Sequence, residues 1–179
     1  VGGRNGKEEA SSDYIVKKLG IHALTIPEME RDINGYNDII SYYKIKNIIK
    51  RYKPDIVHTH ASKAGFIGRY AAKNCNVPIV LHTFHGHIFH SYFNKAKTGF
   101  FKTLERNLAS KSSCIIAISD SQKHELCNIH EIAEESKIHV VPLGFDLDRF
   151  QFNYELKRAK FRNDYHIKDN EIAIAIVGR

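Results

Sequence analysis

Apolar residues along this chain follow two alternating rhythms. Short, mostly apolar runs occupy 22–26, 56–57, 78–81, 114–118, 138–141 and 172–177. Between them lie longer stretches in which apolar residues recur at the spacing of a helix, about every 3.6 residues. One covers 7–19, with Tyr14, Ile15 and Leu19 on one side and Gly20 as a stop. A second, capped by Asn37 or Asp38, carries Ile39, Ile40, Tyr43, Ile48, Ile49 and Tyr52. Others run from the small residues at 61–65 through Ala72, over 98–108 with Phe100, Phe101, Leu104 and Leu108, from Ser119-Asp120 to about Cys127, and over 154–164. Strand and helix alternating in this way predict an α/β domain, a Rossmann-like parallel sheet with helices on both faces. The run at 172–177 opens a new unit as the sequence ends, so it reads as the first strand of a second domain.

Composition narrows the class. The 179 residues suffice for one domain with a sizeable core, and 42% hydrophobic with 26% charged residues is ordinary for a water-soluble fold. No apolar run reaches the roughly 20 residues of a membrane-spanning helix. Cys75, Cys114 and Cys127 are odd in number and form no Cys-x-x-Cys pattern, which argues for a reducing compartment and against a disulfide framework. A formal charge of +7 favours anionic partners: a phosphorylated ligand or an anionic lipid surface. No interleaving of basic and aromatic residues on adjacent strands suggests nucleic acid.

Candidate chemistry collects at the predicted strand ends, where ligands bind in open α/β sheets. The run His82-Thr-Phe-His-Gly-His-Ile-Phe-His90 follows the strand at 78–81. His85 stands out because Gly86 lets backbone approach a ligand closely. His85, His87 and His90 have no Cys, Asp or Glu nearby to complete a zinc set, so no metal is expected. The run His58-Thr-His60-Ala-Ser-Lys63-Ala-Gly65 leads from a strand into a helix N-terminus, a geometry that suits an anion and equally a tight structural turn. Ser119 lacks the Gly-x-Ser-x-Gly elbow of a nucleophile and reads as a helix cap.

In order along the chain these pieces resemble the family-4 retaining glycosyltransferases of the GT-B type. The resemblance rests on Pro54–His60 with Ser62–Gly65 and Gly68-Arg69, on His82–His87, on Leu104–Arg106, on Ile118-Ser119, on Val140–Asp146 with Arg149-Phe150, and on Val177–Arg179. The two histidine motifs most resemble bacterial lipopolysaccharide, capsule and exopolysaccharide enzymes. The resemblance implies two Rossmann-like domains, of which 1–170 is the acceptor-side domain lacking its first strand and 171–179 starts the nucleotide-sugar domain. It implies His85 as the catalytic contact to the donor sugar, with Arg179 and Gly86 on the donor and Arg179 pairing its diphosphate. His60, Lys63, Gly65 and His87 would line the acceptor side. It further implies a nucleotide-diphosphate sugar as substrate, no cofactor, a lipid-linked or saccharide acceptor, and a cytoplasmic location at the inner face of the membrane. The family's paired glutamates are absent from this chain, so the fragment is expected to be inactive alone. Two alternatives stay open: a nucleotide-sugar 2-epimerase of the same architecture, and a non-enzymatic domain binding an anionic ligand.

Overall fold

The computed structural model describes residues 1–3, 13–30, 32–86, 95–145 and 147–176. They divide between two compact units, Val1–Pro142 and Leu143–Arg179. In the first, a two-stranded parallel sheet pairs β1 (Gly2–Gly3) with β2 (Thr25–Ile26). Helices α1 (Asp13–Lys18) and α2 (Gly35–Tyr52) flank β2 in sequence. The cap of α2 is Asn34, not the expected Asn37 or Asp38: its side chain accepts the Asn37 N–H at 3.2 Å. Three exposed residues, Ile33, Asn34 and Gly35, hide this start from a reading of apolar period.

The main sheet has four parallel strands in the order β3 (Ile56–His60), β4 (Ile79–Phe84), β5 (Cys114–Ala117) and β6 (Ile138–Val140). Parallel neighbours need crossovers. These are α3 (Ser62–Asn74), α4 (Lys95–Lys111) and α5 (Asp120–His124), the last continuing as a π-helical turn over Glu125–Ile129. Ser119 caps α5, accepting the Gln122 N–H at 3.2 Å, as a structural reading of that serine requires.

Two apolar clusters hold the layers. Val80 packs with Ile49 of α2 and with Ala71 and Ala72 of α3. Phe84, Ile115 and Ile138 pack with Ala109 of α4 and with Leu126. Each fully buried Ile or Leu of this kind is worth about 1.5–3 kcal/mol relative to exposure.

β4 extends beyond the expected 78–81 to Phe84, so His82 and Thr83 are strand residues rather than loop residues. A polar side chain breaks the apolar run, but ladder pairing to β3 and β5 does not depend on side-chain polarity.

The second unit contains α6 (Asp148–Gln151) and α7 (Tyr154–Asp164). Arg162 turns back from α7 to donate to the Glu171 carbonyl at 3.0 Å and to the Lys168 carbonyl. The expected strand at 172–177 does not form over the described residues 172–176. Ile172, Ile174 and Ile176 stand 90%, 85% and 94% exposed. An apolar β-prone run becomes a strand only against a partner ladder, and no described strand pairs with it.

Candidate active site at the carboxyl ends of β3 and β4

Alternation along β3 sends Val57 and Thr59 to one face of the sheet and Ile56, His58 and His60 to the other. The register places Thr59 opposite His82 and His60 opposite Thr83. One sequence motif is thereby split between a buried layer and an exposed one.

The buried layer is Thr59, His82, Gly65, Gly68, Arg69 and Glu105. The Thr59 hydroxyl donates to the Leu81 carbonyl at 3.1 Å, and its oxygen lies 2.9 Å from His82 Nδ1. With the hydroxyl proton committed to Leu81, Nδ1 of His82 must be the donor, which fixes the tautomer of this buried ring. Burial, then the Arg69 charge, then His60 and His58 depress the His82 pKa to about 3. At neutral pH it is an uncharged packing and hydrogen-bonding residue.

Helix α3 rests directly on this pair. A Cβ added to Gly65 would lie 2.4 Å from His82 Cε1, and one added to Gly68 would lie 2.8 Å from Thr59 Cγ2. The two glycines permit the close approach of helix to sheet. Gly65 thus faces the His82 ring inside the fold, and any influence on an acceptor passes through the placement of α3.

Arg69, wholly buried, donates from Nε to the Gly65 carbonyl at 3.0 Å and from Nη2 to Glu105 Oε2 of α4 at 2.7 Å. Burial pushes the Glu105 carboxyl up while Arg69 pulls it down. A guanidinium does not lose its proton in proteins, so the pair is ionic. It ties the first turn of α3 to α4. Sequence reasoning noted both residues without a role for either, because 36 positions separate them and nothing local links a helix arginine to a distant glutamate.

The exposed layer is His58, His60 and His85. His85 closes the bend after β4, and its Nε2 lies 3.0 Å from His60 Nδ1. The His58 and His60 rings are 4.3 Å apart, and His58 Nε2 is 2.8 Å from Thr83 Oγ1. Partial burial, then the charges of His58 and His85, lower the His60 pKa. Gly86 follows His85, and a Cβ added there would meet nothing within 4 Å among the described residues. The structure therefore brings His60, His85 and Gly86 together across two strand ends.

Lys63 is engaged differently from the anion-binding expectation. Its ammonium meets the Asp38 carboxylate of α2 at 2.5 Å and donates to the Asp32 carbonyl. His87 and Arg179 lie outside the described residues. Among the described residues no group of three or more His, Cys, Asp or Glu could hold a metal.

The family described as Glycosyltransferase Family 4 matches residues 3–149, a span containing both histidine strands and helices α1–α5. The chain belongs to glycosyltransferase family 4. It is 36% identical over 130 residues to an Escherichia coli UDP-Gal:alpha-D-GlcNAc-diphosphoundecaprenol alpha-1,3-galactosyltransferase, covering 73% of this chain and 33% of that protein. It is 31% identical over 153 residues to the Staphylococcus aureus capsular polysaccharide biosynthesis glycosyltransferase CapM, covering 84% of this chain and 40% of that one. A glycosyltransferase structure from Rickettsia africae superposes with a TM-score of 0.65 at 25% identity, covering 90% of this chain and 40% of that one. The chain thus spans between a third and two fifths of the length of these relatives.

Proposed function

We propose that this family-4 chain is the acceptor-side part of a glycosyltransferase that moves a sugar, with retention, from a nucleotide-diphosphate sugar to a lipid-linked or saccharide acceptor in cell-envelope polysaccharide synthesis. The observation that carries the reading is the His60–His85 pair at the carboxyl ends of adjacent parallel strands, inside the family-matched span. The names of the Escherichia coli and Staphylococcus aureus relatives support the substrate class.

In this reading His85 contacts the donor sugar, with Gly86 leaving room for it. Arg179 pairs with the donor diphosphate. His60 and His87 face the acceptor. Lys63, held by Asp38, and Gly65, set on His82, act by fixing the start of α3. Transfer with retention passes through a cationic, oxocarbenium-like sugar while negative charge builds on the departing diphosphate. Arginine and helix N-termini stabilise that charge with no cofactor required. In this reading residues 171–179 belong to the nucleotide-sugar side of the site. The enzyme works in the cytoplasm, and the surplus of +7 suits docking on an anionic inner membrane face. No helix among the described residues is long and apolar enough to cross a membrane.

The test is sugar transfer by the longer protein from UDP-sugars to a diphosphoprenyl-sugar acceptor. His85→Ala is expected to lower kcat by a factor on the order of 10²–10³, the loss typical of removing one positioned polar contact to the transition state, with the circular dichroism spectrum unchanged. Near-normal turnover would remove His85 from the mechanism.

A further inference from the structure

The sequence offered Lys63 as the cation at the strand-to-helix turn, yet Asp38 neutralises it. Behind this edge Arg69 is buried and paired with Glu105, and His82 is buried and carries no charge near neutral pH. An anion arriving at the ends of β3 and β4 therefore finds its charge partner in the exposed pair His60 and His85. We propose that His60 and His85 form a proton-accepting seat for a diphosphate, taking up one proton as the diphosphate binds. This rests on the transferase reading for the identity of the ligand and adds to it: the pair holds the diphosphate beside Arg179, at the end next to the sugar that His85 orients.

Proton counting gives the mechanism. Two neutral imidazoles carry two N–H protons over four nitrogens. One proton lies in the 3.0 Å contact between His60 Nδ1 and His85 Nε2, leaving one outer nitrogen as donor and the other as acceptor. Adding one proton leaves the internal bond intact and makes it charge-assisted. Both outer nitrogens, His60 Nε2 and His85 Nδ1, then carry protons and share one positive charge. Neither outer nitrogen has a hydrogen-bond partner among the described residues. The neutral pair is a poor anion ligand, and the singly protonated pair is a two-pronged one. A second proton would break the internal bond, so the pair stops at one.

The neighbouring groups favour the neutral form of His60 in the empty site. Partial burial and the charges of His58 and His85 hold the His60 pKa down. His58 on the same strand, Arg69 of α3 behind His82 of β4, and the compensated pairs Lys63–Asp38 and Arg69–Glu105 complete the charged surroundings. None of these supplies a free carboxylate whose charge would stabilise a protonated pair beforehand. Helix α3 begins two residues after His60. Its Ala61 cap, at φ 61° and ψ 157°, makes no side-chain hydrogen bond to the first turn. Its first N–H groups thus add donors and a positive dipole end beside the pair.

A diphosphate at this edge could belong to a nucleotide-sugar or to a diphosphoprenyl-sugar. Both are diphosphate diesters with no proton to lose near neutrality, so they serve as the two probes. NMR titration of this chain with UDP-N-acetylglucosamine and with farnesyl-diphospho-N-acetylglucosamine, from pH 7.5 to 6.0, reads affinity. One-proton linkage makes binding up to about 30-fold tighter across that interval. His60→Asn keeps an amide nitrogen in place of Nδ1 but cannot take the charge, and it is expected to leave weak, pH-independent binding, as is His85→Asn. The probe whose binding shows the His60-dependent slope identifies the source of the diphosphate. Binding of both probes without a pH slope, equal binding by His60→Asn, or no binding of either at pH 6.0 with a native spectrum would each overturn the seat. Transfer by the longer protein with no such slope would sink the seat and leave the transferase reading standing. A slope without transfer would do the reverse.

Discussion

Acid stability should report the buried His82 directly. Its folded pKa of about 3 lies below the ordinary histidine value of 6.5 given for the exposed ring. The unfolded chain therefore binds a proton as pH drops through 6.5, and the folded chain does not until about 3. Stability from this group is complete above about pH 6.5 and is lost as pH falls between those values, at about 1.4 kcal/mol per pH unit. At pH 5.0 the loss relative to pH 7.5 is about 2 kcal/mol. That figure barely depends on the folded pKa, since any folded value at or below about 4 leaves His82 neutral at pH 5.0. His82→Asn provides the comparison: the amide nitrogen replaces Nδ1 as donor to Thr59 and does not titrate. Urea unfolding of both proteins at several pH values between 5.0 and 7.5 gives the two slopes. Carboxylates and the other histidines contribute equally to both, so the difference isolates His82. Wild type should lose about 2 kcal/mol more than the variant over that interval. Parallel pH dependences would mean that the folded ring protonates freely, and the assignment of His82 as a sealed neutral residue would fall.

Two further perturbations test the packing beneath the site. Gly65→Ala puts a methyl 2.4 Å from His82 Cε1, in a layer with no slack, and the overpacking cost of about 1–3 kcal/mol should exceed the roughly 1 kcal/mol gained in helix propensity. A variant at least as stable as wild type in urea unfolding would show that α3 can lift off the sheet freely. Arg69→Met strands the Glu105 carboxylate and should cost about 3–5 kcal/mol, whereas Arg69→Met with Glu105→Leu should recover most of it. Equal loss in the single and double variants, measured by thermal unfolding, would contradict the ionic pairing.

How much of this was legible in the residues depends on the range of the interaction. Hydrophobic period located β3, α3, β5, α5 and α7 close to their observed positions, because short apolar runs and 3.6-residue spacing are local consequences of which face is buried. The order of the histidine motifs resembled family 4, and the family match over 3–149 agrees. What the sequence could not reveal was which histidine does what. His58, His60, His82 and His85 are chemically alike on paper. The β3–β4 register and the pleat decide that His82 turns inward to Thr59 and Gly65 while His60 and His85 meet at the open edge. Lys63 looked like a free cation until α2, over twenty residues upstream, brought Asp38 to it. The apolar run at 172–177 predicted a strand, but a strand is a pairing and not a property of one segment, and none forms over the described residues 172–176. Local pattern determined the elements and the kinds of side chain at the sheet edge. The tertiary structure alone assigned charge, neutrality and burial among them, because those follow from neighbours distant in sequence and close in space.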